Sequence, residues 1–225
     1  PQTFSILDEM VTKGIIHKGR AEGMNPIKDS IAHLTNPYNR RGGLDEAMMN
    51  ADVFIGVSVA DLLTEEHIAS MATDPIVFAL ANPNPEITYD NAKKWGVKIF
   101  GTGRSDYPNQ INNLLAFPGI FRGALDVRAT DINEDMKLAA VEAIASLVSD
   151  EELDVEFVVP KALDTRVAGI VAKAVGSAAI ISGVSVLFQQ AEVAPDVIAS
   201  MRALEKAEEV VKATSKVVNS ENEAV

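Results

Sequence analysis

The first hundred residues alternate between short apolar runs and segments whose apolar residues recur at helical spacing. This alternation predicts an α/β fold with a parallel sheet covered by helices on both faces. Thr64 and Thr88 stand where N-caps are expected. Strands are predicted at 4–7, 14–17, 51–58, 75–81 and 97–102, and helices at 42–50, 64–72 and 88–95.

The pattern after residue 111 is helical throughout. Residues 112–129 predict a helix that Pro118 bends or interrupts. Residues 133–148 predict an amphipathic helix capped by Asn133. Further helices are predicted at 165–183, with Thr165 as N-cap and Gly183 as its end, and at 196–213, with Val197, Met201, Leu204 and Val211 along one side.

Composition narrows the class of protein. The formal net charge of −12 disfavours nucleic-acid binding, because phosphate contacts need clustered Lys and Arg. The absence of Cys excludes disulfides and thiolate chemistry. Lys173 interrupts the longest apolar run, which therefore predicts a buried helix rather than a membrane span. We expect a cytoplasmic protein without a membrane segment or signal peptide.

Candidate chemistry lies where the predicted strands end, because parallel sheets bind ligands outside the C-terminal ends of their strands. Gly56 and Ser58 end one strand, Asn82 follows the next, and the sequence GTGRSD ends the third. Two prolines, Pro83 and Pro85, stiffen the chain beyond Asn82, as suits a group that must be held still. Such residues also dominate ordinary turns, so a ligand site and plain loop chemistry both remain open.

Signals for a dinucleotide are incomplete. GTGRSD lacks the third glycine of the phosphate-binding fingerprint, and Asp106 in its place would repel a pyrophosphate. Asp8, after the first predicted strand, is a candidate acceptor for a ribose hydroxyl, or an ordinary acidic loop residue. If Asp8 has this role, the first strand of a Rossmann-like sheet and its glycine loop precede residue 1.

Other catalytic templates fail. The histidines are scattered without metal-ligand spacing, and His67 beside two glutamates is expected on a solvated helix face. No nucleophile motif is present, so we predict no catalytic and no metal-binding residue in this chain. Asn112 and Asn113 open a helix, where they could hold an anion such as a carboxylate or simply cap the helix.

Several long stretches resemble a known family. KGIIHKGR, ADVFIGVS, IVFALANPNPEI, GTGRSDYPNQINN and NNLLAFPGIFRGALDVRA together resemble the C-terminal half of bacterial malic enzymes over residues 14–183. The resemblance implies oxidative decarboxylation of malate to pyruvate and CO2 with NAD or NADP and Mg or Mn. The motif NN-x-x-x-FPG argues against another amino-acid or tetrahydrofolate dehydrogenase.

The resemblance also implies roles for particular residues. Asn82 would lie beside the nicotinamide and the substrate, and Asn113 would contact the malate carboxylate or hydroxyl. The implied cofactor-binding residues are Asp8, Gly56, Ser58, Asn82 and Asn112. The family's acid tyrosine, base lysine, metal ligands and phosphate loop lie upstream of these motifs.

We therefore expect a fragment that is inactive alone and completed by a missing N-terminal half, in an enzyme that forms homo-oligomers, as dimers. The expected domains are a partial dinucleotide-binding domain (1–130), C-terminal helices that pack on it or on the missing half (131–184), and a helical tail with a frayed end (185–225). The alternative is a non-catalytic Rossmann-like binding or regulatory module.

Overall fold

The computed structural model of the protein describes residues 10–11 and 14–187. The chain divides into two compact units. The first comprises Pro1–Ile111 with Asp154–Val158, and the second comprises Asn112–Leu153 with Val159–Val225. The predicted domain boundaries after residues 130 and 184 stay predictions. The predicted strand at 4–7, Asp8, and the predicted helix at 196–213 lie outside the described residues.

The first unit contains a parallel three-stranded sheet, which confirms the predicted α/β fold. Its strands β3 (Val53–Gly56), β4 (Ile76–Ala79) and β5 (Ile99–Thr102) lie side by side in that order. Helix α3 (Glu65–Ser70) connects β3 to β4, and α4 (Tyr89–Lys94) connects β4 to β5. Before them come β1 (Met10–Val11), β2 (Gly14–Ile15), α1 (Pro26–Leu34) and α2 (Leu44–Met48).

The core of this unit explains why these runs form a sheet. Val77 of β4 and Phe100 of β5 are almost wholly buried, and burying each such side chain contributes about 1.5–3 kcal/mol. The other buried members of the same apolar cluster are Met48, Leu63, Ile68, Met71, Ala79, Ile87, Ala92 and Val97. Central strand β4 is therefore fixed by apolar packing as well as by its two neighbouring strands.

Most predicted helix starts in this unit are correct. Thr64 and Thr88 accept hydrogen bonds from the backbone N–H groups of His67 and Asn91, as N-caps do. The expectation of a solvated His67 was wrong: only 13% of its side chain is exposed, and Nε2 lies 2.8 Å from Asp45 Oδ1. Helix α1 was not predicted, because the pair Asn25-Pro26 is also typical of a turn. In the structure Asn25 is the N-cap and Pro26 the first residue of the helix.

The second unit is helical. The 3₁₀ turn Asn113–Leu115 precedes α5 (Phe117–Asp126), α6 (Glu134–Ala145) and α7 (Thr165–Ile181). Pro118 lies in the first turn of α5 and separates it from the 3₁₀ turn, which confirms the predicted interruption. Asn133 caps α6 as predicted. The prediction that Thr165 caps α7 was wrong, because Asp164 accepts the hydrogen bond from Arg166 N–H.

Helices α5 and α7 touch through glycines. A Cβ on Gly119 would lie 2.5 Å from Val171 Cβ, and one on Gly123 would lie 2.4 Å from the Ala172 carbonyl oxygen. The absence of these side chains lets the two helices approach at backbone distance. Gly183, with φ +79°, follows the C-cap Ser182 and ends α7 as predicted. Within the described residues, no helix is long and apolar enough to cross a membrane.

Candidate functional site

The C-terminal ends of β3, β4 and β5 lie side by side at one edge of the sheet. Gly56 is paired with Ala79, and Ala79 is paired with Thr102, so the strands finish in register. Ser58 and Asn82 follow two of these ends and are exposed. The predicted convergence of polar and glycine-rich segments on one sheet edge is therefore confirmed for the first unit.

A buried carboxylate joins two of the strand ends. Glu86 has no exposed surface. Its Oε1 accepts a hydrogen bond from Ser58 N–H at 2.8 Å and a longer one from Ser58 Oγ at 3.5 Å, and its Oε2 accepts one from Ala81 N–H at 3.1 Å. The carboxylate thus connects the segment after β3 with the segment after β4.

Gly56 makes room for this carboxylate. A Cβ at Gly56 would lie 2.5 Å from Glu86 Cδ and 2.6 Å from its Oε1, which real Cβ atoms essentially never do. It would also lie 2.7 Å from Cε1 of Phe54. Gly56 is buried, so its missing side chain is explained by packing against Glu86. The predicted contact of Gly56 with a cofactor stays a prediction.

The loop that carries Asn82 is held at several points. Pro85 and Glu86 accept backbone hydrogen bonds from Asp61 and Leu63. The peptide bond between Asn82 and Pro83 is cis. Among the described residues, the amide group of Asn82 has no hydrogen-bond partner, and its nitrogen lies 4.0 Å from the position of a Cβ on Gly103. An exposed amide on a fixed loop is available to a ligand.

The segment after β5 carries a neutralised carboxylate. Arg104 donates to both oxygens of Asp106, from Nε at 2.9 Å and from a terminal nitrogen at 2.6 Å. This bond lowers the pKa of Asp106, and the carboxylate raises the pKa of Arg104. The guanidinium also lies 5.5 Å from the ring centre of Tyr107. These contacts fix the loop without presenting a free cation to a phosphate.

Aromatic rings brace the same loop. Tyr107 stacks on Tyr89 of α4, with ring centres 4.8 Å apart. The Tyr89 hydroxyl donates to Glu156 at 2.8 Å, and Lys93 Nζ lies 3.0 Å from the same carboxylate. Burial and this hydrogen bond raise the pKa of Tyr89, whereas Lys93 and Tyr89 lower the pKa of Glu156. The brace therefore ties the segment 154–158 to the sheet edge.

A second buried polar residue closes the turn after β5. Asn109, 6% exposed, donates to the carbonyls of Phe100 and Val155, and its Oδ1 accepts from Val158 N–H at 2.8 Å. Its φ of +52° suits asparagine, which tolerates the left-handed region. After Asn109, the N–H of Ile111 donates a hydrogen bond to the Thr102 carbonyl, and Ile111 ends this stretch of the first unit.

The second unit carries the paired asparagines. The side-chain oxygen of Asn112 accepts from Leu114 N–H at 2.9 Å, so Asn112 is an N-cap as one of the two open interpretations stated. Asn113 is exposed, and its amide has no hydrogen-bond partner among the described residues. The expectation that Asn113 and Asn82 face one cleft stays a prediction.

Sequence reasoning missed Glu86 and Asn109. The available signal for Glu86 was its place between Pro85 and Ile87, which are both apolar. A charged residue there is either exposed or paired in the core, and the sequence does not say which. Within residues 14–187, no cluster of three or more His, Asp or Glu side chains could hold a metal ion.

Comparison with known proteins places these features in context. Residues 2–180 match the family model described as malic enzyme, NAD binding domain. The chain is 60% identical over 174 residues to the bifunctional malic/malolactic enzyme of Bacillus subtilis, an alignment that covers 77% of this chain and 42% of that enzyme. It is 47% identical over 189 residues to the NADP-dependent malic enzyme of Haemophilus influenzae, covering 77% of this chain and 25% of that enzyme.

Solved structures that resemble this fold are also malic enzymes. The crystal structure of an NAD-dependent malic enzyme from Thermotoga maritima matches with a TM-score of 0.69 and 45% sequence identity. That match covers 73% of this chain and 43% of the crystallised one. The chain thus spans less than half the length of each of these relatives.

Proposed function

This chain belongs to the malic enzyme family, within its NAD-binding domain, and on that premise we propose that it supplies the cofactor-binding half of an enzyme that converts malate to pyruvate and CO2. The observation that carries the proposal is the sheet edge where three parallel strands end in register. Asn82 follows one of them, with an exposed amide that has no hydrogen-bond partner among the described residues. Parallel sheets bind ligands at this edge. NAD or NADP would accept the hydride there.

The proposal gives each predicted residue a role. Asn82 would place its amide against the nicotinamide and the substrate, and Asn113 would donate to a malate oxygen. Ser58, an exposed residue whose hydroxyl also donates to Glu86 at 3.5 Å, would lie against the cofactor. Asn112 would offer its NH2 group, since its oxygen accepts the capping hydrogen bond from Leu114 N–H. Asp8 keeps its proposed role at the ribose.

The described residues do not fit a divalent metal, since they provide no cluster of ligands for one. Oxidation of an alcohol also needs a positioned base, and no lysine among the described residues stands in a motif of that kind. We therefore assign the base, the acid, the metal ligands and the phosphate loop to a further segment of the enzyme. In the proposed enzyme that segment belongs to the same chain or to a partner.

An open strand edge supports the need for such a segment. The carbonyl oxygens of Asp52 and Gly56 accept from β4, so the backbone groups of Val53 and Ile55 point to the opposite edge. No described strand pairs there. The side chain of Ile55 is 63% exposed and that of Val57 is 78% exposed. A parallel strand from the remaining part of a malic enzyme, which is more than half of each relative's length, is the occupant we propose.

The remaining expectations stay predictions under this proposal. They are a homodimeric enzyme, a cytoplasmic location and no nucleic-acid partner. The net charge of −12 supports the last of these.

An activity assay tests the proposal. The purified 225-residue chain, incubated with malate, Mn²⁺ or Mg²⁺, and NAD or NADP, should form no pyruvate and bind the cofactor weakly. A chimera of the Bacillus subtilis enzyme that carries residues 14–183 of this chain should form pyruvate. Metal-dependent pyruvate formation by the chain alone would contradict the need for a further segment. A folded but inactive chimera would contradict the proposed activity.

A further inference from the structure

The fully buried Glu86 has an unusual set of partners. Its carboxylate is satisfied by two backbone N–H groups and one hydroxyl, all from the segments that follow β3 and β4. Among the described residues, no Lys, Arg or His lies within ion-pair distance of it. A buried carboxylate is costly unless its oxygens are hydrogen-bonded, and both oxygens of Glu86 have N–H donors from the two segments.

The two residues whose N–H groups donate to Glu86 are, or directly precede, residues proposed to contact the ligands. Oε1 holds Ser58, the proposed cofactor contact, and Oε2 holds Ala81, the residue directly before Asn82. Gly56 lacks the side chain that would displace the carboxylate. One rigid group therefore sets the spacing between two loops that carry ligand-binding residues.

We propose that Glu86 is a positioning residue that fixes Ser58 and Asn82 relative to each other for cofactor and substrate. The proposal rests on the proposed function for its kinetic consequence, but not for the hydrogen bonds themselves. Both carboxylate oxygens face N–H donors, so both must be acceptors. A side-chain amide has only one acceptor atom and cannot meet that requirement at both ends.

Glutamine therefore cannot replace Glu86. Its side-chain oxygen can accept from one N–H, and its NH2 group must then face the other donor. The Ser58 side offers a hydroxyl that can accept from NH2, whereas the Ala81 side offers none. In Glu86→Gln, the oxygen should stay with Ala81 and the N–H of Ser58 should lose its partner.

Nuclear magnetic resonance of the 225-residue chain tests the hydrogen bonds without any activity. The unmodified chain should show couplings across the hydrogen bonds from the Glu86 carboxyl carbon to the amide nitrogens of Ser58 and Ala81. In Glu86→Gln, amide exchange at Ser58 should quicken by about 10-fold or more, while Ala81 stays protected. Glu65→Gln, at an exposed carboxylate of α3, is the matched control and should change neither amide. Absent couplings in the unmodified chain would overturn the proposal, as would unchanged exchange at Ser58.

Kinetics of the chimera test the consequence. Glu86→Gln should raise KM for the cofactor by about 10-fold or more, because small displacements of contact groups weaken a bound geometry steeply. The Glu65→Gln chimera should match the parent. A loss confined to the amount of folded enzyme, with KM unchanged, would show a structural role only and overturn the proposal. If the parent chimera is itself inactive, the proposed function fails while the resonance result still decides on Glu86.

Discussion

The substitution Gly56→Ala tests the contact on which the strand-end geometry depends. Its Cβ would lie 2.5–2.7 Å from three atoms of Glu86 and Phe54. Glu86 cannot swing into solvent, because it is fully buried. Gly56 does not have a positive φ, so alanine adds no backbone strain. The cost therefore comes from the collision and not from backbone strain.

The magnitude follows from opposing contributions. Overpacking costs about 1–3 kcal/mol. Displacing the carboxylate from one N–H removes a charged hydrogen bond, which costs about 1.5–3 kcal/mol. Alanine restricts the unfolded chain and returns about 0.4–1 kcal/mol. We expect a net destabilisation of about 3 kcal/mol, allowing for partial relaxation around the site.

Urea unfolding of the 225-residue chain measures this difference. Gly103→Ala is the matched control: its Cβ would meet nothing closer than 3.9 Å, so it should show only the unfolded-chain contribution, a stabilisation of about 0.4–1 kcal/mol. In a Glu86→Ala background, the cost of Gly56→Ala should shrink, because part of the collision is gone. A Gly56→Ala variant within about 0.5 kcal/mol of the parent would refute the reasoning.

Four further changes have defined outcomes. Asn109→Ala removes the side-chain partner of three backbone groups, one buried and two partly buried, and should cost about 3 kcal/mol in urea unfolding; a cost below about 1 kcal/mol would contradict the role of that amide. Asp164→Ala removes the N-cap of α7 and should lower the stability by about 1 kcal/mol, whereas Asp164→Asn should retain most of it. The lowered pKa of Glu156 means that its contribution to stability is present above the ordinary carboxylate range and is lost as pH falls through the lowered value; Glu156→Gln should flatten that acid limb, and an unchanged profile would argue against the brace. Asn113→Ala in the chimera should raise KM for malate, or lower turnover, by the equivalent of about 1.5–3 kcal/mol with stability unchanged; unaltered malate kinetics would remove Asn113 from the site.

Local chemistry decided which parts of the fold could be predicted. The strands β3, β4 and β5 were predicted because each is a short apolar run, and Thr64, Thr88 and Asn133 because a cap needs only its own turn. Thr165 was misplaced because Asp164 and Thr165 are both good caps, and the choice depends on backbone geometry. Neighbouring residues alone do not distinguish such alternatives.

The position of the candidate site could be predicted from the sequence, but the hydrogen bonds that hold its loops in place could not. The strand ends and Asn82 follow from the parallel sheet and the prolines. The role of Glu86 depends on N–H groups 28 and 5 residues away, at Ser58 and Ala81, which no local pattern specifies. The same applies to Asn109, whose partner Val158 lies 49 residues further along.

The open edge of β3 also affects the tendency of the purified chain to self-associate in solution. A strand edge that no strand of the described part of the chain covers, with exposed Val53 and Ile55, is a template on which an identical edge can add. The net charge of −12 keeps copies apart at low ionic strength, but salt shortens that repulsion to about 10 Å at 0.1 M and about 3 Å at 1 M. Light scattering should therefore rise with added salt, and Ile55→Lys should suppress the self-association.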